Sequence, residues 1–158
     1  MSKDNPEMTA DEVIEFVRLL NQHGIEVTID GGWGVDALLR RQTRRHADLD
    51  IAVQHKDVAQ IRALLEARNY QDVPRDDTRD CNFVLGDDQG HLIDIHVYEF
   101  DAAGKVTFGL DYAPDSLQGT GSINGLSFAL FNSFSTSRLI QSRASRATPI
   151  TCGAQRIE

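Results

Sequence analysis

The sequence predicts an α/β domain in which a small mixed β-sheet is flanked by helices. Helical and strand-like periodicities alternate along the chain and hairpin patterns follow, which gives the element order αβαβαβββ. From residue 132 the periodicity ends, and eight of the last 27 residues are Ser or Thr. Residues 1–131 are therefore expected to form the domain, and residues 132–158 an atypical C-terminal tail that is disordered or loosely docked.

The first three elements follow from local patterns. A helix is expected to begin after Thr9, because Thr9 and Glu12 have the spacing of a capping box, and to end at Gly24. Residues 25–29 alternate apolar and polar side chains, as a strand does. A Gly-Gly pair ends that strand, and a short helix is expected over residues 33–39.

The remaining elements are expected in the same way. A polar, basic connection over residues 40–46 leads to a strand over 48–53, and a helix is expected over 56–68. Residues 71–79 form a polar connection. Further strands are expected over residues 81–85, 91–100 and 106–108, with a last hairpin around Asn124-Gly125.

Composition excludes membrane-spanning and secreted classes. With 41% hydrophobic and 25% charged residues, the chain has the make-up of an ordinary globular protein. It has no apolar run of about 20 residues, and its first residues lack the apolar core of a secretory signal. A cytoplasmic protein without a membrane partner is expected. Cys81 and Cys152 are too few and too far apart to indicate a disulfide framework or a zinc site, and Cys81 is expected to be a small buried apolar residue.

The charge is unevenly distributed. The net charge is −8, yet residues 132–158 carry +3 and residues 1–131 carry −11. Because a nucleic-acid backbone favours clustered Lys and Arg, no nucleic-acid partner is expected. The acidic body suits a cationic small substrate, or simply a solvated surface.

An Asp-x-Asp pattern lies in the strand over residues 48–53. Successive strand side chains point to opposite faces, so Asp48 and Asp50 share one face, with Cα atoms about 6.6 Å apart. Two like charges this close favour a divalent cation, and Mg²⁺ prefers carboxylate and phosphate oxygens. Two solvent-facing aspartates on an edge strand would give the same letters.

A third aspartate, Asp94, stands between Ile93 and Ile95 in the strand over residues 91–100. An aspartate in this place is costly unless it is paired, hydrated or metal-bound. If this strand lies beside that of Asp48, Asp94 completes a carboxylate triad. It could then be a metal ligand and the general base toward an acceptor hydroxyl.

The residues before the Asp-x-Asp suggest a phosphate site. Gly31-Gly32 follows a strand and opens a helix, where backbone N–H groups can approach phosphate oxygens, although a simple tight turn has the same pattern. Arg44, Arg45 and His46 could hold a triphosphate, or merely balance the acidic residues.

Three nearby residues have structural explanations at least as good as functional ones. Trp33 is expected to be a core or lid residue, and Asp36 is expected to be structural. His96 either supports Asp94 or is a hydrogen-bonded histidine of the sheet.

In combination these motifs are far more specific than any one of them. Residues 30–36 (DGGWGVD) and 43–50 (TRRHADLD) resemble antibiotic nucleotidyltransferases of the polymerase-β-like superfamily, above all the small lincosamide nucleotidyltransferases and then the aminoglycoside 2″-nucleotidyltransferases. Residues 92–96 (LIDIH) are similar to the strand that carries their third carboxylate, and residues 119–125 (GTGSING) to their Gly-rich hairpin.

The resemblance implies a nucleotidyltransferase fold and a drug-modifying enzyme. A nucleoside monophosphate would pass from a triphosphate, with ATP as the favoured donor, to a drug hydroxyl, with two Mg²⁺ ions and release of pyrophosphate. A homodimer is also implied. The implied catalytic and metal-binding residues are Asp48, Asp50 and Asp94, and the implied nucleotide-binding residues are Gly31, Gly32, Arg45 and His46.

Two departures keep alternatives open. The superfamily's usual Gly-Ser pair is here Gly31-Gly32 followed by Trp33, a feature shared with the drug-modifying enzymes. Residues 132–158 also lack the amphipathic pattern of the C-terminal helices that help such enzymes bind the acceptor. The chain could therefore act on another small molecule or on a protein, or be a silent nucleotide-binding module.

Overall fold

An eight-stranded mixed sheet is the framework of the fold in the computed structural model, which describes residues 6–131 and Cys152. Within these residues the helices are α1 (Ala10–Gln22), α2 (Gly31–Leu39) and α3 (Val58–Glu66). The strands are β1 (Val27–Asp30), β2 (Asp48–Gln54), β3 (Gln71–Asp72), β4 (Asn82–Gly86), β5 (Leu92–Phe100), β6 (Val106–Gly109), β7 (Gly119–Ile123) and β8 (Leu126–Leu130). This architecture confirms the predicted α/β class.

The central strands of the sheet are β5, β2 and β1. The strand order is β3-β4-β5-β2-β1-β8-β7, and β6 pairs with the later part of β5. Strand β2 is parallel to β5 and antiparallel to β1, so its neighbours run in opposite directions. The starts of β2 and β5 therefore meet the end of β1 at one edge of the sheet.

The two faces of the central strands differ in chemistry. One face is apolar and is buried in a single core cluster with residues of all three helices, including Leu20, Trp33 and Ile61. The strand residues in this cluster include Ile29, Leu49, Ile51, Val53, Ile93, Ile95 and Val97. The opposite face holds Asp48, Asp50 and Asp94 near the starts of β2 and β5. Farther along, this face is covered by a second buried cluster formed by Ala52, Tyr98, Tyr112 and Phe131. Strand periodicity thus places the polar residues where they cannot interrupt the core.

Most local predictions are confirmed, with shifts at element ends. The capping box of Thr9 and Glu12 is present, and the last hairpin turns at Asn124 and Gly125, both with positive φ. The helix expected from residue 56 instead starts as a 3₁₀ turn, His55–Asp57, before α3. The polar connection over residues 71–79 contains β3, and a second 3₁₀ turn precedes β7.

The number and spacing of the two cysteines do not indicate a disulfide, yet the structure contains one. Cys81 and Cys152 are disulfide-bonded, with Cα atoms 5.6 Å apart across 71 residues of sequence. Cys81 is fully buried, as expected. The bond brings Cys152 to the start of β4, whereas the predicted character of the rest of the tail lies outside the described residues. No helix in the described part of the chain is long and apolar enough to cross a bilayer.

We expect Thr9→Ala to lower the free energy of unfolding by about 1 kcal/mol, because it removes the side-chain acceptor at the first turn of α1. Urea denaturation followed by circular dichroism measures this. Thr9→Ser keeps the hydroxyl and should stay close to wild type. Equal stability of the Ala and Ser variants would contradict the role of the cap.

Candidate active site

Three aspartates meet where β2 lies beside β5. Asp50 is paired in register with Asp94, and Asp48 lies two residues earlier on β2, so all three occupy the polar face of the sheet. The parallel pairing of these strands confirms that the strand of Asp94 lies next to that of Asp48. Sequence alternation predicts which face each residue occupies, and the register brings the carboxylates together.

The tightest cluster of potential metal ligands includes a histidine. Asp50, Asp94 and His96 each offer one ligand atom, and these atoms lie within 4.8 Å of one another. Asp48 is more exposed than Asp50 and does not belong to this tight group, although its charge acts on both Asp50 and Asp94. Carboxylate oxygens with one imidazole nitrogen are suitable ligands for a divalent cation.

Crowding of negative charge raises the pKa values of two carboxyl groups. Burial, followed by the charges of Asp48 and Asp94, raises the pKa of Asp50 to about 7. Burial, followed by the charge of Asp48, raises the pKa of Asp94 to about 6, although a hydrogen bond with Asp50 acts in the opposite direction. The folded chain therefore holds carboxylates in an environment that disfavours their charge, and a bound cation would relieve this cost.

Gly31 is needed because the carboxylate of Asp50 occupies the space beside it. A Cβ atom at position 31 would lie closer to Asp50 Oδ2 than any non-bonded contact allows, and Gly31 has a φ of +60°. The Gly31 N–H donates to Asp30 Oδ1 at 2.8 Å, so Asp30 caps α2. The contact of Gly31 with phosphate remains a prediction.

The basic residues before β2 differ in their surroundings. Arg45 is largely exposed, and its Nε lies 3.1 Å from Glu7 Oε2. His46 is buried, and its Nε2 is 2.5 Å from Asp36 Oδ2. Arg44, which the resemblance does not include among the implied nucleotide-binding residues, is the arginine whose guanidinium reaches over Gly32.

The sequence does not predict which residues line the cavity beside the carboxylates. A cavity of about 130 Å³ lies beside Asp48 and Asp94. Its lining also includes Arg75, Asp77 and Asn82. The sequence predicts only a polar connection over residues 71–79. One available signal was Asn82, a polar residue alternating with Cys81 and Phe83, which places it on the polar face of the sheet.

A larger hollow lies toward the far ends of β2 and β5, and its border also includes Val17 and Asn21 of α1. It measures about 740 Å³ and is bordered by Thr28, Gln54 and Tyr98, which follow the aspartates in the same alternation. Drug-sized ligands occupy pockets of roughly 300–1,000 Å³. The small cavity is thus too small for a drug, whereas the larger hollow is not.

Comparison with known proteins gives three consistent findings. A family model described as aminoglycoside-2″-adenylyltransferase matches residues 12–126. A lincosamide resistance protein of Staphylococcus haemolyticus is 31% identical over 67 residues, which are 42% of this chain and 42% of that protein. The match to this curated relative thus spans less than half of its length.

Solved structures resemble the fold over most of the chain. The lincosamide antibiotic adenylyltransferase LnuA with lincomycin bound has a TM-score of 0.70 at 19% identity, covering 85% of this chain and 86% of LnuA. The structure of ANT(2″)-Ia with adenylyl-2″-tobramycin has a TM-score of 0.66 at 18% identity, covering 89% and 78%. At these identities the likeness establishes the fold alone.

The raised pKa of Asp50 predicts a pH dependence of stability. A carboxyl group with a raised folded pKa binds more protons when folded, so its contribution destabilises the fold as pH rises from 3.8 to about 7. We expect the melting temperature without metal to fall between about pH 4 and about pH 7, and to fall less in Asp50→Asn. Mg²⁺ should restore the melting temperature of wild type at the higher pH. Scanning calorimetry measures this, and an identical pH profile for the Asn variant would contradict it.

Proposed function

The chain belongs to the aminoglycoside-2″-adenylyltransferase family, and from this premise we propose that it is an antibiotic nucleotidyltransferase. It would transfer a nucleoside monophosphate from a nucleoside triphosphate to a hydroxyl group of a lincosamide-like drug. The observation that carries the proposal is the pairing of Asp50 with Asp94 on adjacent parallel strands, with Asp48 on the same face. Folding alone does not require three converging carboxylates, because their repulsion is a cost.

The transfer requires one proton acceptor and neutralisation of phosphate charge. The acceptor oxygen forms a bond to the α-phosphorus while the bond to the bridging oxygen breaks, and pyrophosphate leaves. Asp94 takes the proton of the acceptor hydroxyl, a role open to a carboxylate on the face where the three aspartates meet. Asp48, Asp50 and Asp94 would hold two Mg²⁺ ions, which supply charge neutralisation at the phosphates.

The triphosphate would lie on the side of α2. Gly31 and Gly32 at its N-terminus, with Arg45 and His46 from the following connection, are the proposed contacts, and ATP is the favoured donor. The helix N-terminus supports this placement, since its N–H groups and dipole attract anions. Arg44 joins this set, because its guanidinium approaches Gly32.

The acceptor would lie along the polar face beyond Asp94. Its hydroxyl would reach Asp94 while its bulk occupies the hollow of about 740 Å³, whose border includes the acidic residues Glu26 and Glu99. That charge suits an amine-bearing drug. The likeness to a lincosamide resistance protein favours a lincosamide, and the family's description makes an aminoglycoside the second candidate. A cytoplasmic location, a homodimer and the lack of a nucleic-acid partner stay predictions.

We expect purified protein to release pyrophosphate from ATP only when Mg²⁺ and a drug are both present. Asp48→Ala should lower turnover by about a thousandfold or more, because a metal ligand is lost from a site that acts mainly by positioning and charge neutralisation. A coupled pyrophosphate assay across lincosamides and aminoglycosides measures this.

The matched control for this experiment is Asp88→Ala, which changes an exposed aspartate in the turn between β4 and β5. It should keep the turnover of wild type. The proposed acceptor class would be wrong if no drug of either group gave turnover while ATP still bound. The proposed role of Asp48 would be wrong if both variants were equally active.

A further inference from the structure

Asp36 is a buried carboxylate to which the proposed reaction assigns no role. It lies on α2, and only 2% of its side chain is exposed. Its two oxygens accept three hydrogen bonds: from Thr43 N at 3.1 Å, from Thr43 Oγ1 at 2.5 Å and from His46 Nε2 at 2.5 Å. These three hydrogen bonds stabilise the buried carboxylate, because its burial without them would be costly.

The hydrogen bonds around Asp36 determine its ionisation. Burial acts to raise the pKa of Asp36, but the hydrogen bonds from His46 and Thr43 outweigh it and hold the pKa below its ordinary value. Asp36 is therefore a carboxylate that only accepts hydrogen bonds. The nitrogen of His46 that faces Asp36 is Nε2, and it must therefore carry the hydrogen of this bond.

The ring of His46 is directed at the Gly31-Gly32 turn. Its centroid lies 4.8 Å from the ring of Trp33. A Cβ atom at Gly32 would lie 2.5 Å from His46 Nδ1 and 2.8 Å from Arg44 Nη2. The imidazole edge and the guanidinium thus meet above the backbone of Gly32, where only a glycine leaves room for both.

Asp36 also holds the connection that carries Arg44. Its backbone carbonyl accepts from Arg41 N at 3.1 Å, which closes the C-terminal end of α2. Its side chain binds Thr43 and His46 farther along the same connection. One residue therefore ties residues 40–46 back to the helix whose N-terminus forms the glycine turn.

We propose that Asp36 is a positioning residue for the triphosphate, acting through His46 and the connection over residues 40–46. It holds the buried ring of His46 against Gly32 and places the guanidinium of Arg44 at the same turn, where the phosphates of the donor nucleotide would lie. The inference rests on the proposed function, because it assumes that a triphosphate binds at this turn. The inference goes beyond the proposed function because it gives Asp36, which is buried and does not contact the nucleotide, control over the affinity for the donor nucleotide.

The test is Asp36→Asn, which keeps the shape of the side chain and removes its charge. We expect the Kd for ATP to rise about tenfold or more, as expected when a charge-assisted hydrogen bond is lost. The Kd for AMP, and the KM for the drug, should stay within about twofold, because neither depends on the β- and γ-phosphates. Calorimetry in the presence of Mg²⁺ and steady-state kinetics give these values.

A matched control exists in the same chain. Asp87 also binds a histidine, with its Oδ2 2.7 Å from His91 Nδ1, and burial of its carboxyl is likewise outweighed by hydrogen bonds that lower its pKa. This pair lies in the turn between β4 and β5, away from the glycine turn. Asp87→Asn should lower the melting temperature and leave the Kd for ATP unchanged.

Two further variants show whether Asp36 acts through the proposed atoms. Thr43→Val changes an exposed residue, so it should preserve the fold and raise the Kd for ATP by about threefold or more, because one of the three hydrogen bonds to the Asp36 carboxylate is lost. In the double variant Asp36→Asn/His46→Gln, the increase should be clearly smaller than the product of the two single increases, since both remove one interaction.

The outcomes separate the inference from the function on which it rests. If wild type does not bind ATP with Mg²⁺, the proposed function fails and the inference fails with it. If wild type binds ATP and Asp36→Asn binds it equally well, with only a lower melting temperature, Asp36 is structural and the inference alone is overturned. Fully independent effects of Asp36→Asn and His46→Gln would also overturn it.

Discussion

The crowding of Asp50 and Asp94 with the charge of Asp48 is the constraint on which this structure depends. Parallel pairing of β2 with β5 sets the two carboxylates side by side, and burial raises both pKa values above those of free aspartate. Such an arrangement weakens the fold on its own and becomes favourable when a cation is shared. The apolar residues on the other face of the same strands supply the packing that offsets this cost.

The donor side of the site depends on the unit formed by α2 and the connection that follows it. Gly31 lacks a Cβ because Asp50 lies against it, and Gly32 lacks one because His46 and Arg44 cover it. Each of the two glycines therefore links the helix to a different group, the carboxylates or the basic residues. A single helix N-terminus thus connects the proposed metal ligands to the proposed phosphate contacts, which accounts for the short spacing between the Gly-Gly pair and the Asp-x-Asp.

Much of the fold could be predicted because it depends on periodicity and local caps. The capping box at Thr9, the alternation in β2 and β5, and the turn at Asn124 are all short-range patterns. The same alternation predicts that Asp94 could join Asp48, provided that the strands are neighbours.

The remainder depends on contacts between distant segments, which local patterns do not encode. The disulfide of Cys81 with Cys152 spans 71 residues, and spacing alone argued against it. The position of Arg75 and Asn82 beside the small cavity depends on how β4 pairs with β5. The burial of Asp36 against His46 follows from the path of a connection that carries no periodicity. Alternation predicts which face of a strand a side chain occupies, but it predicts neither the register between strands nor the path of a connection.

The most direct test of the account is titration of the protein with Mn²⁺, a paramagnetic substitute for Mg²⁺, with the free ion followed by electron paramagnetic resonance. At a pH of about 8 we predict saturable binding by wild type and at least about tenfold weaker binding by Asp50→Asn, because the variant lacks a carboxylate ligand of the cation. Equal Mn²⁺ affinity of the two proteins would contradict the claim that these paired aspartates form a cation site.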